Sequence, residues 1–340
     1  MSRRAVLVGA TALGAAAACF GCATGRKLPM TTLAPKSDLA DWIYHLFIQV
    51  TLWDALILVI VVTAFILAVF FFSTRVGEAA PPSSAASDLG LEVAWTVGPA
   101  LILLMISIPT VRTIFRSQPR VAPAGSLEIK VTAHQWWWEF HYQDSGVETA
   151  NELHIPTGRP IRLQLVSNDV IHSFWVPQLG GKRDVVPGQM NHLTLQAFVP
   201  GTYLGQCAEF CGLSHANMRF RVMVDTPEQF ASWQKSEQGA PAAENQNASP
   251  AAAEGAKIFA DSPCTTCHRI EGVSKGYIGP DLSHFATRTT LAAGVLSNTP
   301  ANVAKWVTDP EAIKPGAQMP RLGLGGEQLN DLVAYLESLK

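Results

Sequence analysis

The stretch from Cys207 to Met218, CAEFCGLSHANM, concentrates side chains that bind metals. Within twelve positions it supplies two thiols, a carboxylate, an imidazole and a thioether. Thiolate and thioether sulfurs are soft ligands that favour copper, whereas methionine is not among the usual ligands of zinc. A single blue copper takes one cysteine, so the presence of both Cys207 and Cys211 favours two coppers bridged by two thiolates. The alternative is a Cys207–Cys211 disulfide beside an unrelated histidine.

A second motif, CTTCH at 264–268, is the attachment signature of a covalently bound c-type haem. Cys264 and Cys267 would form thioethers with the haem, and His268 would ligate the iron. A redox-active or zinc-binding C-x-x-C is the alternative, and the adjacent histidine disfavours it. Met319 is the only methionine after His268 and is the predicted sixth ligand, with His284 as its competitor. Met/His ligation raises the haem potential.

The composition indicates a protein that lies partly within a bilayer. Only 15% of its 340 residues are charged, well below the roughly 25% of average soluble domains. The net charge of −2 and the absence of a basic block argue against nucleic acid as a partner. All six cysteines are assigned: Cys19 and Cys22 lie near the N-terminus, and the copper and haem motifs use the other four. No pair is therefore left for a structural disulfide framework.

The first residues have the layout of a secretory signal peptide, which we place at 1–22. Arg3 and Arg4 precede an alanine-rich apolar run and then small residues. Two interpretations of its end stay open. In the first, the signal is that of a lipoprotein and Cys22 becomes the lipidated first residue, although Cys19 stands where an aliphatic residue is usual. In the second, the signal is cleaved nearby without lipidation.

Two apolar runs, from about Leu46 to Phe72 and from about Val93 to Phe115, are each long enough to cross a membrane. They predict a helical hairpin over 40–116, the alternative being buried core helices. Arg112, Arg116 and Arg120 flank the second span on its C-terminal side, whereas the hairpin loop offers only Arg75. The positive-inside rule would therefore put the C-terminal part in the cytoplasm. The signal peptide and the haem motif indicate the opposite side, which is our prediction.

The remaining chain divides into two domains joined by a linker. Segments such as LEIKVTA, PIRLQLVS and NHLTLQAFV alternate apolar and polar residues and predict a β-sandwich over 117–234. The stretch 235–253 is rich in Ala, Pro, Gln, Asn and Ser and predicts a flexible linker. Residues 254–340 contain the haem motif and end in an apolar pattern of helical spacing from Gln328 to Leu339.

The copper-binding stretch resembles the CuA loop in subunit II of haem–copper cytochrome c oxidases. The resemblance covers roughly residues 40–230 and includes DVIHSFWVPQLGGKRDVVPG at 169–188, HQWWWEF at 134–140 and LEVAWTVGPALILLMISIPTVR at 91–112. It implies a cupredoxin-like sandwich. It also implies that two imidazoles, two bridging thiolates, a weak thioether and a weak backbone carbonyl bind the copper pair: His172, His215, Cys207, Cys211, Met218 and the carbonyl of Glu209.

The same resemblance implies three further roles. Trp136 matches the tryptophan through which electrons reach CuA, the alternative being ordinary aromatic packing. The side chain of Glu209 matches a ligand of a magnesium ion shared with subunit I. Glu92 matches the acid at the mouth of a proton channel into subunit I, the alternative being an ordinary helix-start residue.

The segments EGAKIFADSPCTTCH and GPDLSHF resemble small class I cytochromes c, which implies an all-α C-terminal domain. In that family the terminal helix crosses the first, so Gly255 and Phe259 should meet Tyr335. The whole chain resembles subunit II of a caa-type oxidase, a multidomain membrane protein with a fused cytochrome c.

That resemblance implies an electron relay from the fused haem through CuA to the oxygen-reducing centre of subunit I. The family reaction oxidises cytochrome c, reduces dioxygen to water and pumps protons. Expected partners are subunits I and III and cytochrome c or another respiratory donor. The expected location is the bacterial inner membrane, with both cofactor domains on the periplasmic side. There are three alternatives. A quinol oxidase subunit II lacks copper ligands, and the ligand set here argues against it. A nitrous oxide reductase needs a catalytic domain for which the chain is too short, and a freestanding electron carrier does not need a hairpin.

Overall fold

A computed structural model describes residues 28–71, 88–239 and 249–340. The predicted signal peptide, the loop of the hairpin and the middle of the predicted linker lie outside these ranges. The described chain forms two long helices, a two-sheet sandwich and a small, mainly helical C-terminal domain.

Two long helices form the membrane hairpin. Helix α1 spans Asp38–Phe71 and helix α2 spans Leu89–Ser117, so each extends beyond the apolar run that predicted it. Both are long and apolar enough to cross a membrane, and their apolar windows are not buried within the described chain. Asp88 caps α2, because its Oδ1 accepts from the amides of Gly90 and Leu91 at 3.0 and 3.3 Å.

Both helices meet the sandwich at the same end of the hairpin. Ahead of α1, Ser37 Oγ donates to the carbonyl of Leu179 at 2.5 Å, and Leu39 in its first turn is only 2% exposed. Just after α2, the carbonyl of Pro119 accepts from Arg162 Nη1 at 2.8 Å. The start of α1 and the end of α2 therefore lie on the side of the membrane that the sandwich occupies.

Ten strands form the sandwich: β1 Leu127–His134, β2 Trp137–Tyr142, β3 Glu148–Ala150, β4 Glu152–Pro156, β5 Ile161–Ser167, β6 His172–Trp175, β7 Arg183–Val185, β8 Asn191–Leu195, β9 Gly201–Cys207 and β10 Arg219–Asp225. One sheet has the order β3-β2-β1-β5-β8 and the other β4-β10-β9-β6-β7. The pairs β1–β5 and β4–β10 are parallel, and every other pair is antiparallel. The three alternating segments picked out in the sequence coincide with β1, β5 and β8.

The core lies between the two sheets and is rich in aromatic side chains. Trp138, Phe174 and Phe220 are at most 1% exposed, and the Phe174 and Phe220 rings stack with centroids 4.5 Å apart. This packing fixes β6, β9 and β10 relative to one another. The candidate copper ligands lie on or directly between these three strands.

Helical structure extends into both ends of the predicted linker. Helix α3 spans Pro227–Glu237 and helix α4 begins at Pro250, so both ends of 235–253 are helical. Composition alone missed a local signal at Ser249. Its side chain accepts from the amide of Ala252, Pro250 follows at the first helical position, and alanines continue the helix.

The C-terminal domain contains five helices within the described residues: α4 Pro250–Asp261, α5 Cys264–Cys267, α6 Pro300–Thr308, α7 Pro310–Ile313 and α8 Gly326–Leu336. Two short hairpins pair Arg269–Ile270 with Ser274–Lys275 and Thr290–Leu291 with Leu296–Ser297.

Helices α4 and α8 cross at a glycine. A Cβ on Gly255 would lie 1.9 Å from the carbonyl oxygen of Asp331, so only glycine permits this approach. The rings of Phe259 and Tyr335 pack with centroids 5.7 Å apart. The predicted meeting of Gly255 and Phe259 with Tyr335 is confirmed.

Candidate copper and haem sites

The structure brings the predicted copper ligands together around one point. His172 begins β6, Cys207 ends β9, and Cys211, His215 and Met218 lie on the connection to β10. The two cysteine sulfurs are 3.7 Å apart. This separation is far longer than the roughly 2.05 Å of a disulfide, and both cysteines are free.

Nitrogen and sulfur donors flank this pair of thiols on both sides. His172 Nδ1 lies 3.9 Å from Cys207 Sγ, and His215 Nδ1 lies 3.5 Å from Cys211 Sγ. Met218 Sδ lies 3.8 Å from Cys211 Sγ. The donor set is therefore nearly symmetric about the two sulfurs, with one imidazole beside each.

The two thiols are buried, and their pKa values are shifted in opposite directions. Cys207 and Cys211 are each 3% exposed. Their mutual hydrogen bond lowers the pKa of Cys207 and raises that of Cys211, because ionising one buried sulfur opposes ionising the other. A bound cation would favour loss of both protons, since metals bind the thiolate form. The residues present fit a thiolate-bridged copper pair.

His172 is held by Asp169, a residue to which the sequence assigned no role. Asp169 Oδ1 lies 2.7 Å from His172 Nε2. Burial lowers the pKa of His172, but the hydrogen bonds with Asp169 and Cys207 raise it by more. With Nε2 occupied by the carboxylate, Nδ1 is the nitrogen presented to the metal site. A carboxylate behind a ligating histidine is a common feature of metal sites, and DVIH offered that signal.

Glu209 and its neighbours form the exposed rim of the copper site. The Glu209 carbonyl accepts from Cys207 Sγ at 3.2 Å, and its side chain is exposed. Phe210 and Leu213 are 77% and 80% exposed. Large apolar side chains at the surface mark contact sites for partners.

Trp136 lies between the copper donors and the C-terminal domain. Its Nε1 donates to the carbonyl of Cys211 at 2.9 Å, and Gln135 Nε2 donates to the same oxygen at 2.7 Å. Trp136 is 8% exposed. Trp137 stacks on His134 with ring centroids 4.2 Å apart.

The predicted haem ligands line a single cavity in the C-terminal domain. Cys264, Cys267, His268 and Met319 all contribute to its wall. Apolar side chains supply much of the rest: Ile278, Leu282, Phe285, Leu291, Trp306 and Leu322. An apolar cavity with two thiols and two axial donors fits a covalently bound haem.

His268 has the tautomer and orientation that an iron ligand needs. Its Nδ1 donates to the carbonyl of Pro280 at 2.8 Å, which leaves Nε2 free. Burial lowers the pKa of His268 and so favours the neutral, ligating imidazole. A Cβ on Gly279 would lie 2.6 Å from the His268 ring, so the chain fits closely around it.

The two candidates for the sixth haem position differ in their surroundings. Met319 lines the cavity, whereas His284 does not. His284 is 6% exposed, and neither ring nitrogen has a hydrogen-bond partner within the described ranges. The placement favours Met319.

Glu92 lies in the first turn of α2 and is distant from both cofactor sites. It is separated from Ser117, at the sandwich end of the helix, by about 38 Å at a rise of about 1.5 Å per residue. Glu92 therefore belongs to the opposite face of the membrane from the sandwich.

Three family models match the chain in succession. The transmembrane domain of cytochrome c oxidase subunit II matches residues 34–113. The periplasmic domain of the same subunit matches residues 145–225, and cytochrome c matches residues 252–340.

Relatives align with most of the chain. Cytochrome c oxidase subunit 2 of Alkalihalophilus pseudofirmus is 34% identical over 317 residues, which are 92% of this chain and 91% of that protein. Quinol oxidase subunit 2 of Bacillus cereus is 35% identical over 213 residues, 61% of this chain and 72% of that protein. A crystal structure of the periplasmic domain of subunit II from Bradyrhizobium japonicum covers 35% of this chain and 97% of its own, with 34% identity and a TM-score of 0.34.

Proposed function

The chain belongs to the cytochrome c oxidase subunit II family, with a cytochrome c domain at its C-terminus, and from this premise we propose a specific electron route. Electrons enter at the fused haem, pass to a binuclear CuA centre and leave for the oxygen-reducing centre of subunit I. The whole complex would oxidise cytochrome c, reduce dioxygen to water and pump protons. The chain has an electron-transfer role in a haem–copper oxidase, and we propose that the haem precedes CuA in this transfer.

The observation that carries this route is the position of Trp136. Trp136 lines the cavity that also contains His268 and Met319, and its Nε1 donates to the carbonyl of the predicted copper ligand Cys211. One residue is thus part of both candidate sites. This position supports the role of Trp136 as the residue through which electrons reach CuA.

The copper residues have distinct roles in this proposal. Cys207 and Cys211 would hold the copper pair through their thiolates, His172 and His215 would supply the imidazole ligands, and Met218 and the Glu209 carbonyl would be the weak ligands. A copper pair supplies a one-electron centre when bound. Asp169 fixes the orientation of His172, and the buried aromatic core keeps β6 and β9 from moving apart.

The haem residues also have separate roles. Cys264 and Cys267 would hold the haem covalently, and His268 and Met319 would be its iron ligands. Haem c supplies a second one-electron centre of raised potential when Met and His are its ligands. The Pro280 carbonyl keeps the His268 ring oriented toward the iron position.

The membrane orientation follows from the hairpin. Because the start of α1 and the end of α2 lie at the sandwich, placing the sandwich in the periplasm puts Glu92 at the cytoplasmic face of the bacterial inner membrane. Protons for dioxygen reduction and pumping would come from that face. This placement supports the proposal that Glu92 opens a proton channel into subunit I.

The exposed rim of the copper site fits contact with subunit I. Phe210 and Leu213 offer apolar surface beside His215, and the exposed Glu209 carboxylate is free to share a magnesium ion across the interface. Subunit III and a cytochrome c or other respiratory donor complete the proposed partners.

Purification of the complex from membranes tests the proposal against its alternatives. We expect this chain to co-purify with a large haem-containing membrane subunit and to contain about two coppers and one covalent haem. Absence of copper would favour a quinol oxidase subunit, and absence of the large subunit would favour a freestanding carrier.

A further inference from the structure

The C-terminal domain lies directly against the sandwich in the described part of the chain. The cavity that contains His268 and Met319 is also lined by Gln135, Trp136 and Trp137 of the sandwich. Two separately folded units therefore share one cavity wall. Such an arrangement requires contacts that hold the units in a fixed register.

The loop after α7 approaches Trp136 very closely. Gly316 has a φ of +82°, and a Cβ there would lie 2.7 Å from Cη2 of Trp136. The Gly316 amide donates to both carboxylate oxygens of Glu311 at 3.0 Å. The neighbouring carbonyl of Pro315 accepts from Ser214 Oγ at 2.6 Å. Backbone of the haem domain thus packs on the Trp136 ring with no side chain between them.

Glu152, on β4 of the sandwich, is a buried carboxylate whose side-chain hydrogen bonds all come from the haem domain. It is 3% exposed. The amide of Thr289 donates to both carboxylate oxygens at 3.0 Å. The hydroxyls of Thr289 and Thr290 donate to Oε1 at 2.5 and 2.8 Å. Within the described ranges no cation forms an ion pair with Glu152.

The neighbouring strand orients one of these donors. Arg221 on β10 lies opposite Glu152 in the strand register, and its Nη1 donates to Thr289 Oγ1 at 2.9 Å. The Thr289 oxygen therefore accepts from Arg221 while its hydrogen is directed to Glu152. Nearby, the amide of Arg219 donates to the carbonyl of Ala293 at 3.2 Å.

Lys314, on the haem domain, is the counterpart of Glu152. It is 5% exposed, and its Nζ donates to the backbone carbonyl of Trp136 and, at 3.4 Å, to that of Ala292. Burial lowers its pKa to about 7. No acid forms an ion pair with Lys314 among the residues that the structure describes.

We propose that Glu152 and Lys314 are reciprocal positioning residues, which we call the docking clamp, and that they hold the haem cavity against Trp136. This inference rests on the proposed route from haem to CuA. Each domain contributes one buried ionisable side chain that hydrogen-bonds to the other domain. Because a buried polar group without a hydrogen-bond partner is costly, loss of either contact favours separation of the two domains.

The docking clamp acts on the rate of electron transfer and not on the cofactors themselves. Lys314 fixes the backbone of Trp136, and the indole of that residue is bonded to the Cys211 carbonyl. Small displacements of reacting groups change rates strongly. Lys314 lines the haem cavity, but neither Glu152 nor Lys314 is a predicted ligand of copper or haem, so the absorption spectra of both centres should stay native in their variants.

The test uses the complete, metal-loaded oxidase with the substitution Lys314→Met. Methionine is apolar and of similar length, and it removes the donor to Trp136. After flash reduction of the haem by a small photoreductant, we expect the haem-to-CuA rate to fall about tenfold or more, because loss of the Lys314 hydrogen bond lets Trp136 shift relative to the haem cavity. The matched control is Lys305→Met, at an exposed position on α6 of the same domain, which should keep the native rate.

A second set of variants tests the contact between Glu152 and the haem domain. Glu152→Ala removes all acceptors, whereas Glu152→Gln keeps one oxygen and should restore part of the rate. Thr290→Val, on the haem domain, removes one donor with little change of shape. Combining Thr290→Val with Glu152→Ala should slow transfer no further than Glu152→Ala alone. Glu128→Gln is the control, because Glu128 bonds only to Gln164 of the sandwich.

Hydrogen exchange on the same complexes supplies a readout independent of electron transfer. The amides of Thr289 and Arg219 donate across the interface, and we expect them to exchange faster in Lys314→Met than in Lys305→Met. Unchanged haem and copper spectra identify correctly folded variants. If Glu152→Ala fails this check, Thr290→Val is used instead to test the contact with Glu152.

The outcomes separate the clamp from the route. Native exchange and native transfer rates in Lys314→Met and Thr290→Val would overturn the clamp while leaving the route intact. No electron transfer from haem to CuA in the wild-type complex would overturn the proposed function itself. Slower transfer with faster exchange, and with both spectra unchanged, supports the clamp.

Discussion

The copper site and the haem site differ in how much of each lies within one folding unit. All the predicted copper donors belong to the sandwich, and neighbouring sulfur and nitrogen atoms lie 3.5–3.9 Å apart. The predicted haem ligands belong to the C-terminal domain, but the sandwich completes their cavity with Trp136 and Trp137. The copper site is therefore built by one domain, whereas the surroundings of the haem depend on how two domains dock.

Loss of a bridging sulfur should have the largest effect and should be confined to the sandwich. We expect Cys207→Ser to abolish the binuclear centre, because one remaining thiolate cannot bridge two coppers symmetrically. Metal analysis and electron-spin resonance measure this directly, and the haem spectrum should stay native. The reciprocal variant Cys264→Ser should keep both coppers. One copper or zinc in the wild-type protein would contradict the assignment.

Replacing the predicted sixth haem ligand should change the haem alone. We expect Met319→His to lower its potential by on the order of 100 mV or more, since methionine ligation raises the potential relative to histidine. A redox titration measures both centres, and CuA should be unchanged. The control is His284→Gln, which should leave the haem potential as it is. If that control lowers the potential and Met319→His does not, His284 is the ligand.

The carboxylate behind His172 should have a smaller effect on copper. We expect Asp169→Asn to reduce copper affinity about 10–100-fold, because the imidazole loses its charged hydrogen-bond partner. Competition with a copper chelator measures the affinity. Asp144→Asn, which changes an exposed acid of the same sandwich, should have no effect. Equal affinities in the two variants would show that His172 is held in place without Asp169.

Glu92 should affect neither centre, because it lies at the far end of α2. We expect Glu92→Gln to slow turnover of the assembled oxidase severalfold while CuA is reduced at the native rate. Asp88→Asn is the matched control, since asparagine caps a helix as well as aspartate does. Oxygen consumption and stopped-flow reduction measure the two rates. Native turnover in Glu92→Gln would show that Glu92 is only a helix-start residue.

The sequence was most informative where chemistry and spacing coincide. The loop 207–218 holds five of the six predicted copper donors, and CTTCH places the predicted haem thiols and His268 within five residues. The alternating strands around Ile129 and Leu163 were also predictable, because one face of each is buried. Family resemblance to cytochrome c oxidase subunit II with a fused cytochrome c is confirmed.

Contacts between distant segments were not predictable in this way. Glu152 and Thr290 are 138 residues apart, and neither belongs to a motif. Lys314 in the sequence resembles any solvated lysine. The spacing of Asp169 from His172 was a local signal. However, their hydrogen bond forms only because the strand that begins at His172 turns the imidazole toward Asp169.

The most direct test of the account compares the full chain with one truncated after Gly239, each in its assembled oxidase. The physiological donor is mixed rapidly with each complex while haem and CuA are followed at separate wavelengths. The account predicts that in the full chain CuA is reduced as the haem is reoxidised, and that the truncated form accepts electrons much more slowly. Equal rates of CuA reduction in the two complexes would contradict the claim that electrons enter through the fused haem.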